Sequence, residues 1–504
     1  MLKTNSAKAV LVAALAFLCQ GLLWGEGASP CLVAFEVERP VPACSNNTDV
    51  WVQKVLPDGT CAWEAPLGVS LAGSDDYERS PVVVADGKGG AIVVFELKHS
   101  SGPRSTDVDL YAQRVNAQGE RLWGQGAAVP VAATQFREHH AQVVSDGAGG
   151  ALVFFHVDVP VGNSACLTGV CGQRITAEGK LQWLEGQRSV VVEEAESHCQ
   201  QLSVVADGGG GAYVSCLREP LEARAAVEPA VVLLRRYDGL GNQAWGSGTS
   251  GVRVVGTSLR ASRNAHLVVT DEGVWAVYEH GAGRRPGVAA DLFSRDGTVT
   301  LKACAVLPAE GGGMSPALQG PSPVVSDGAQ GFICGFVGRG PSGTRKLWAA
   351  RMGGDGVPQW GHPTPVNLLP LPEMGFGGYL LAAGMKREAI VALTSPVNAP
   401  PSYGNFALSA QRLSNTGSPL WGSVPTDVII PQGASVSLPQ VVVAADGSSY
   451  VFYVVDFDGG HWRGDSSVFG LRLDPMGRRL WQHPVPVAAT PRREGGPSAC
   501  SLDQ

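Results

Sequence analysis

The sequence predicts an all-β chain of eight four-stranded antiparallel units set in a ring, and three observations carry that expectation. Glycine precedes tryptophan by four residues at Gly59/Trp63, Gly119/Trp123, Gly179/Trp183, Gly241/Trp245, Gly356/Trp360, Gly417/Trp421 and Gly477/Trp481, mostly about 60 residues apart. A tight turn recurs as Asp86-Gly-Lys-Gly-Gly90, Asp146-Gly-Ala-Gly-Gly150, Asp207-Gly-Gly-Gly-Gly211, Asp327-Gly-Ala-Gln-Gly331 and Asp446-Gly-Ser-Ser449. A Gln-Arg pair stands at 113–114, 173–174 and 411–412. A fixed period of this kind marks equivalent supersecondary units, and four short strands per unit is the pattern of a β-propeller blade.

One unit justifies its elements in order. Ser80-Pro-Val-Val-Val-Ala85 forms a first strand, and Asp86–Gly90 turns the chain, since Asp-Gly and Gly-Gly tolerate the positive φ of hairpin turns. Ala91–Leu97 is apolar on both faces and reads as a strand buried between sheets. Asp109–Val115 is the third strand, Gly119 turns again, and Arg121–Ala132 carries Trp123 on the fourth. The units fall at 80–133, 141–193, 202–256, 265–308, 322–370, 379–430 and 438–490. An eighth, at 31–75, lacks a first strand, and the tail at 496–503 supplies one, so the C-terminal strand pairs with the N-terminal unit and closes the ring. Seven blades with a displaced N-terminal segment is the alternative. Closure removes open sheet edges.

The tryptophans lie on the outermost strand, so Trp63, Trp123, Trp183, Trp245, Trp360, Trp421 and Trp481 are expected to pack between blades, each burying about 150–250 Å². Leu301 follows Gly297 where an eighth tryptophan would stand and keeps the apolar bulk.

Composition narrows the class. Among 504 residues, 16% are charged and 66 are glycine, which suits short strands and tight turns. The formal charge of −7 offers no footprint for nucleic acid. Residues 1–28 read as a secretory signal: Lys3 and Lys8, an apolar run from Ala9 to Trp24, then small residues at Gly25, Gly27 and Ala28. A retained anchor is the competing reading, but the run is short for a span. Residues 29–504 then form one domain, exported to the periplasm, cell surface or medium.

Eleven cysteines less Cys19 of the signal leave ten, an even set suited to disulfides in an exported chain. Repeat alignment sets Cys31 opposite Cys500, and Cys199 and Cys216 flank a turn. Cys44–Cys61 and Cys166–Cys171 would staple local loops, and Cys304–Cys334 remains by elimination.

The Gly-x3-Trp placement resembles the tryptophan-docking motif of quinoprotein-type eight-bladed propellers. More of the chain resembles exported bacterial β-propeller repeat proteins built from Asp-Gly-x-Gly-Gly and Gln-Arg-x5-Gly-x3-Trp-Gly units. The first resemblance implies a related fold without its activity, since those enzymes use adjacent cysteines and a cofactor-bound calcium, and no Cys-Cys pair occurs here.

Within each unit the second-to-third and unit-to-unit connections vary, and both emerge on one face, where binding is expected. The candidates there are Arg104, Asp107 and Asp109, then Phe136, Arg137, His139 and His140, then Asp456, Asp458, His461, Trp462 and Arg463. Asp456 and Asp458 offer hard oxygens for calcium, the one metal the sequence suggests, and no cofactor is expected. His139 and His140 read as surface histidines, because neighbours on an extended strand point oppositely. No nucleophile elbow, zinc-protease or phosphate-loop motif appears. The resulting expectation is a non-catalytic binding or scaffold module with an extracellular or periplasmic protein or glycan partner and no membrane span. The alternatives are a polysaccharide hydrolase or lyase with carboxylates at the channel mouth, and a quinoprotein-like oxidoreductase.

Overall fold

A computed structural model describes residues 28–502, except 40–46, 65, 73, 100–106, 162–164, 187–188, 196–197, 222–229, 247–250, 257–261, 281–286, 308–317, 319–322, 340–344, 361–365, 371–377, 397–405, 423–425, 429–433, 458–465 and 491. Residues 1–27 of the expected signal segment, Cys44, Arg104, Asp458, His461, Trp462 and Arg463 lie outside the described residues.

The described chain is all-β, with 32 strands in antiparallel meanders of four and only two short 3-10 turns. The second meander, Tyr77–Ala85, Ala91–Lys98, Val108–Val115 and Val129–Ala132, shows the pattern. Its second strand is buried on both faces until Lys98, as the apolar run Ala91–Phe95 requires, and Glu96 is buried with it. In the first meander the order is Val69–Ser70, Asn47–Val55, Cys31–Arg39, Glu494–Ser501, so the C-terminal strand occupies the first-strand place. The third meander, Arg137–Ser145 through Val190–Glu193, and the fourth, His198–Ala206 through Arg253–Val255, join in one eight-stranded sheet through a parallel pairing of Thr168 with His198. The fifth to eighth meanders begin at Ser262, Val324, Gly378 and Ser435.

First strands adjoin one another in succession. Glu494–Ser501 touches both Tyr77–Ala85 of the second meander and Ser435–Val443 of the eighth. A cavity of about 490 Å³ is lined by first-strand residues of five successive meanders, including Val205, Leu267, Val324, Leu381 and Val441, and by Ala499 of the C-terminal strand. Among the described residues no helix is long and apolar enough to cross a membrane.

The repeated motifs form one circuit of bonds. Asp86 Oδ1 accepts the N–H groups of Lys88 and Gly90 and holds its own turn. Its Oδ2 accepts Nε and Nη2 of Arg114 at 3.0 and 2.9 Å. Arg114 Nη1 donates to Ala177 O of the third meander, and Trp123 Nε1 donates to the same oxygen. Gln113 Oε1 accepts the backbone N–H of both Arg114 and Trp123, which fixes the outer strand against the third. Gly179 has φ +77, and a Cβ there would lie 2.6 Å from Trp123 Cγ, so only glycine fits beneath the indole. The circuit recurs as Asp146–Arg174–Gly239–Trp183, Asp207–Arg236–Arg295–Trp245 and Asp327–Arg351–Asn415–Trp360. In the eighth meander Arg472 Nη1 and Trp481 Nε1 both donate to Pro57 O of the first. At the Leu301 lapse the indole comes from another strand: Trp275, fully buried, donates to Gln330 O of the sixth meander.

The cysteines correct several expected bonds, for all nine that are described are free thiols. Cys31 pairs with Ser501 and Cys500 with Leu32, a register one residue away from the expected opposition. One residue reverses the face: Cys31 packs with Phe452 and Trp481, and Cys500 against the Val93 and Phe95 side. Cys166 and Cys171 lie five positions apart on one continuous strand, too far for a disulfide whose Cα atoms stand about 4.4–6.8 Å apart. Cys61 Sγ instead donates to Pro486 O. Cys304 and Cys334 share one core without a bond. Cys199 and Cys216 are both buried with thiols in hydrogen-bond contact.

Candidate functional site

The site grows from a bulge that recurs near the start of the first strands. Ser80, His140, Gln201 and Asn264 have φ of 53, 52, 53 and 50°, and Gly496 has 56°. Each falls in a register break, between Arg79 and Val82, for example, or His139 and Gln142. A bulge breaks the ladder, so the residue's N–H turns to the preceding meander. Ser80 N donates to Glu36 Oε1 at 2.7 Å, and His140 N to Glu96 Oε1 at 2.9 Å. Outside these bulges, Leu318 N, in the connection before the sixth meander, donates to Glu279 Oε1 at 2.6 Å.

These contacts build an arc of alternating charge at the end where the variable connections leave. Asp456, Glu36, Glu38 and Arg493 line a cavity of about 390 Å³ at the junction of the eighth and first meanders. Arg79 bonds Glu96 Oε2 through Nε at 3.0 Å, with its side chain 36% exposed. Burial raises Glu36 above the usual carboxylate range, against the lowering pull of Ser80 N–H and Arg79.

In the third meander the pattern changes chemistry. Arg79 pairs with Glu96 in the second, and the corresponding pair here is His139 with His156. His139 Nδ1 lies 2.7 Å from His140 Nδ1, and the His139 and His156 rings stack with centroids 5.7 Å apart. His139 and His156 are buried, whereas His140 is exposed. Neither nitrogen of His156 has a hydrogen-bond partner. Burial, then the neighbouring imidazoles, push His156 down to about 4, and His140 is lowered for the same reasons. The second and third strands here have 11 residues each, against 8 each in the second meander, and Asp158 and Thr168 stand at the paired positions that Lys98 and Val108 hold there, where the shorter strands stop. Asp158 Oδ2 lies 3.1 Å from His139 Nε2, at ion-pair distance though off the line of a hydrogen bond, and 3.5 Å from Arg137 Nη1; Oδ1 accepts Thr168 Oγ1 at 2.8 Å. Burial opposes ionisation of Asp158, but these contacts outweigh it and hold the carboxyl below its ordinary value.

His139 and His140 therefore correct the expectation of independent surface histidines. The left-handed backbone at His140 interrupts the alternation of an extended strand and returns its ring to His139. Asp109 is fully buried and bonded to His99 Nε2 at 2.9 Å, whose Nδ1 meets Asp76 at 3.0 Å. Asp107 is buried, and its Oδ1 accepts Val108 N. The carboxylates of Asp109 and Asp107 help to keep Glu138 high, at about 7, although burial is the larger cause. Phe136 lines a mostly apolar cavity of about 500 Å³ between the second and third meanders, with Val131, Phe155 and Val157. Asp456 is half-buried beside Glu36, across the first meander from the histidines.

Glu36, Arg79, Glu96, His99, His156, Asp158 and Arg493 escaped the sequence reading. One signal was present: Phe35-Glu36 aligns with Phe95-Glu96, and carrying that alignment one unit further gives Phe155-His156. The change from carboxylate to imidazole marks where this unit departs from its neighbours.

No protein-family model matches the chain, and no curated protein matches its sequence. Among solved structures, the chain is similar to a polysaccharide lyase of family PL25, an ulvan lyase, with 10% identity over 81% of this chain and 96% of that one, at a TM-score of 0.42. It is similar to the NanB sialidase of Streptococcus pneumoniae, with 9% identity over 77% of this chain and 68% of that one, at 0.35. An α-L-arabinofuranosidase of Lactobacillus brevis overlaps with 13% identity over 58% and 96%, at 0.30. Overlaps this partial bear on neither substrate nor mechanism.

Proposed function

We propose that the chain is an exported eight-bladed β-propeller that cleaves an acidic polysaccharide at the variable-loop end of its channel. Eight four-stranded meanders, the C-terminal strand in the first meander and the bonds from Arg472 and Trp481 to Pro57 support the ring. The observation that carries the activity is the arc itself, in which carboxylate, guanidinium and imidazole alternate across adjoining meanders. Cleaving a glycosidic bond needs a proton donor and a proton acceptor whose pKa values are pushed apart. Burial raises Glu36 and lowers His140, so the two are shifted in the senses that suit a proton donor and a proton acceptor. Arg79 and Arg137, with side chains 36% and 44% exposed, match the planar forks of uronate and sulfate groups.

The specific test is incubation with acidic and neutral polysaccharides, reading new reducing ends for hydrolysis and ultraviolet absorbance of an unsaturated uronate for elimination. Chain shortening of an acidic polymer is expected, with neutral polymers spared. Binding without either product would favour the second reading, a non-catalytic glycan-binding module. That reading has its own support, since Glu36 and Glu96 each commit an oxygen to the next meander's backbone, and Glu279 commits one to the connection that follows its own meander.

Export would expose the buried Cys199 and Cys216 thiols to an oxidising compartment as the chain folds, and the same proposal includes a disulfide between them. The intact mass of the exported protein reads both claims: the leader absent, and two hydrogens fewer than the fully reduced chain. Retention of the leader, or a fully reduced pair, would count against export.

A further inference from the structure

The imidazole group of the third meander has the composition and surroundings of a metal centre rather than of a packed core. The candidate ligand atoms of His139, His140 and His156 all lie within 4.8 Å of one another. Two of them, the Nδ1 atoms of His139 and His140, face each other at 2.7 Å. Three nitrogens bound at about 2.0–2.1 Å to one tetrahedral ion stand about 3.3 Å apart, so small side-chain rotations bring the set to ligand geometry. His156 is 7% exposed, and both its nitrogens lack a hydrogen-bond partner, an uncommon state for a buried polar ring.

The surroundings point the same way. A ligating histidine ordinarily turns its second nitrogen to a carboxylate, which fixes the tautomer and strengthens the donor. His139 Nε2 lies 3.1 Å from Asp158 Oδ2, which leaves Nδ1 directed at His140. Asp158 is itself anchored by Thr168 Oγ1 at 2.8 Å. At the equivalent paired positions the second meander has Lys98 and Val108, so the carboxylate and its hydroxyl anchor are a feature of this meander. His140 is exposed, so a further coordination position would open towards solvent.

We propose that His139, His140 and His156 bind one divalent transition-metal ion of the zinc class, with Asp158 as the carboxylate that orients His139. Imidazole nitrogen favours zinc and its neighbours over calcium or magnesium, which take oxygen ligands. This is a different site from the Asp456/Asp458 calcium pair that the sequence suggested. The inference stands apart from the polysaccharide reading, although a bound ion converts His140 from proton acceptor to ligand.

The test uses the untagged full chain after chelator treatment, titrated with zinc by calorimetry and with cobalt by visible absorption. One equivalent of saturable zinc is expected, with a cobalt spectrum of nitrogen-rich tetrahedral coordination. His140→Ala removes an exposed ligand and is expected to weaken zinc about 100-fold or more, while Asp158→Asn weakens it about 10–100-fold. His483→Ala, an exposed histidine elsewhere, leaves the titration unchanged. Circular dichroism of each metal-free variant checks that the fold is kept. Absence of stoichiometric binding to the folded wild-type chain overturns the proposal, as does equal binding by the His139→Ala/His140→Ala double variant. Neither result depends on finding a polysaccharide substrate, so the two readings fail separately.

Discussion

Deleting residues 494–504 is expected to abolish cooperative folding rather than trim a tail. Glu494–Ser501 is the first-place end strand of the first meander, paired from Cys31↔Ser501 to Val37↔Glu494, and it adjoins the second and eighth meanders as well. Its removal exposes the edge of Cys31–Arg39, where Leu32, Val33, Ala34 and Phe35 are fully buried. It also removes Ser498 Oγ, the acceptor for Val83 N, and Ala499 and Cys500 from two separate cores. A whole domain is stable by about 5–15 kcal/mol, and loss of a strand packed against three meanders, together with its ladder, consumes that margin. An unpaired apolar edge also recruits other chains. The truncated protein should be insoluble or melt without a sharp transition. A monomeric truncation with the wild-type melting curve would contradict the role given to this strand.

Arg114→Ala is expected to cost about 3–5 kcal/mol, because removing one partner leaves the Asp86 carboxylate buried without its counter-charge. The two side chains are 7% and 1% exposed, so water does little to compensate. The substitution also withdraws Nη1 from Ala177 O, one of the two second-meander donors to that oxygen of the third. Arg478→Ala supplies the control: its pair with Asp474 is 79% exposed on the arginine side, and its loss should cost less than about 1 kcal/mol. Denaturant midpoints of both variants measure the difference. A similar small change in both would show that the recurring Asp–Arg pair is incidental.

The two motifs joined by that pair were each visible in the sequence, but their connection was not. Asp-Gly-x-Gly-Gly and Gln-Arg declare themselves through local turn chemistry and a constant period. Asp86 and Arg114 stand 28 residues apart, as do Asp146 and Arg174, and nothing local to either residue says that they touch. Strand order was legible from the same period, including the place of the C-terminal strand. Its register was not, because a slip of one residue leaves the apolar pattern of a strand buried on both faces unchanged; that slip moved Cys31 away from Cys500.

The site was legible only in part. His139 and His140 drew notice as an unusual pair, yet the bulge that unites them depends on a non-glycine residue at positive φ, which sequence seldom reveals. His156 sat unseen in the apolar run Ala151–Val157, where a single polar residue looks like a tolerated exception. Comparing units with one another, rather than reading each alone, is what exposes it.

In the proposed function, an acidic polysaccharide is engaged and cut at the variable-loop end, where Arg79, Arg137 and the histidines meet. The most direct measurement is the rate of depolymerisation by wild type, by Arg79→Ala and Arg137→Ala at that end, and by Lys88→Ala on the exposed turn at the other. Loss of one guanidinium–anion contact of about 1.5–3 kcal/mol should slow cleavage roughly 10–150-fold in each arginine variant and leave Lys88→Ala at the wild-type rate. Equal rates in all four proteins, or a loss confined to Lys88→Ala, would contradict the assignment of this end of the molecule as the site.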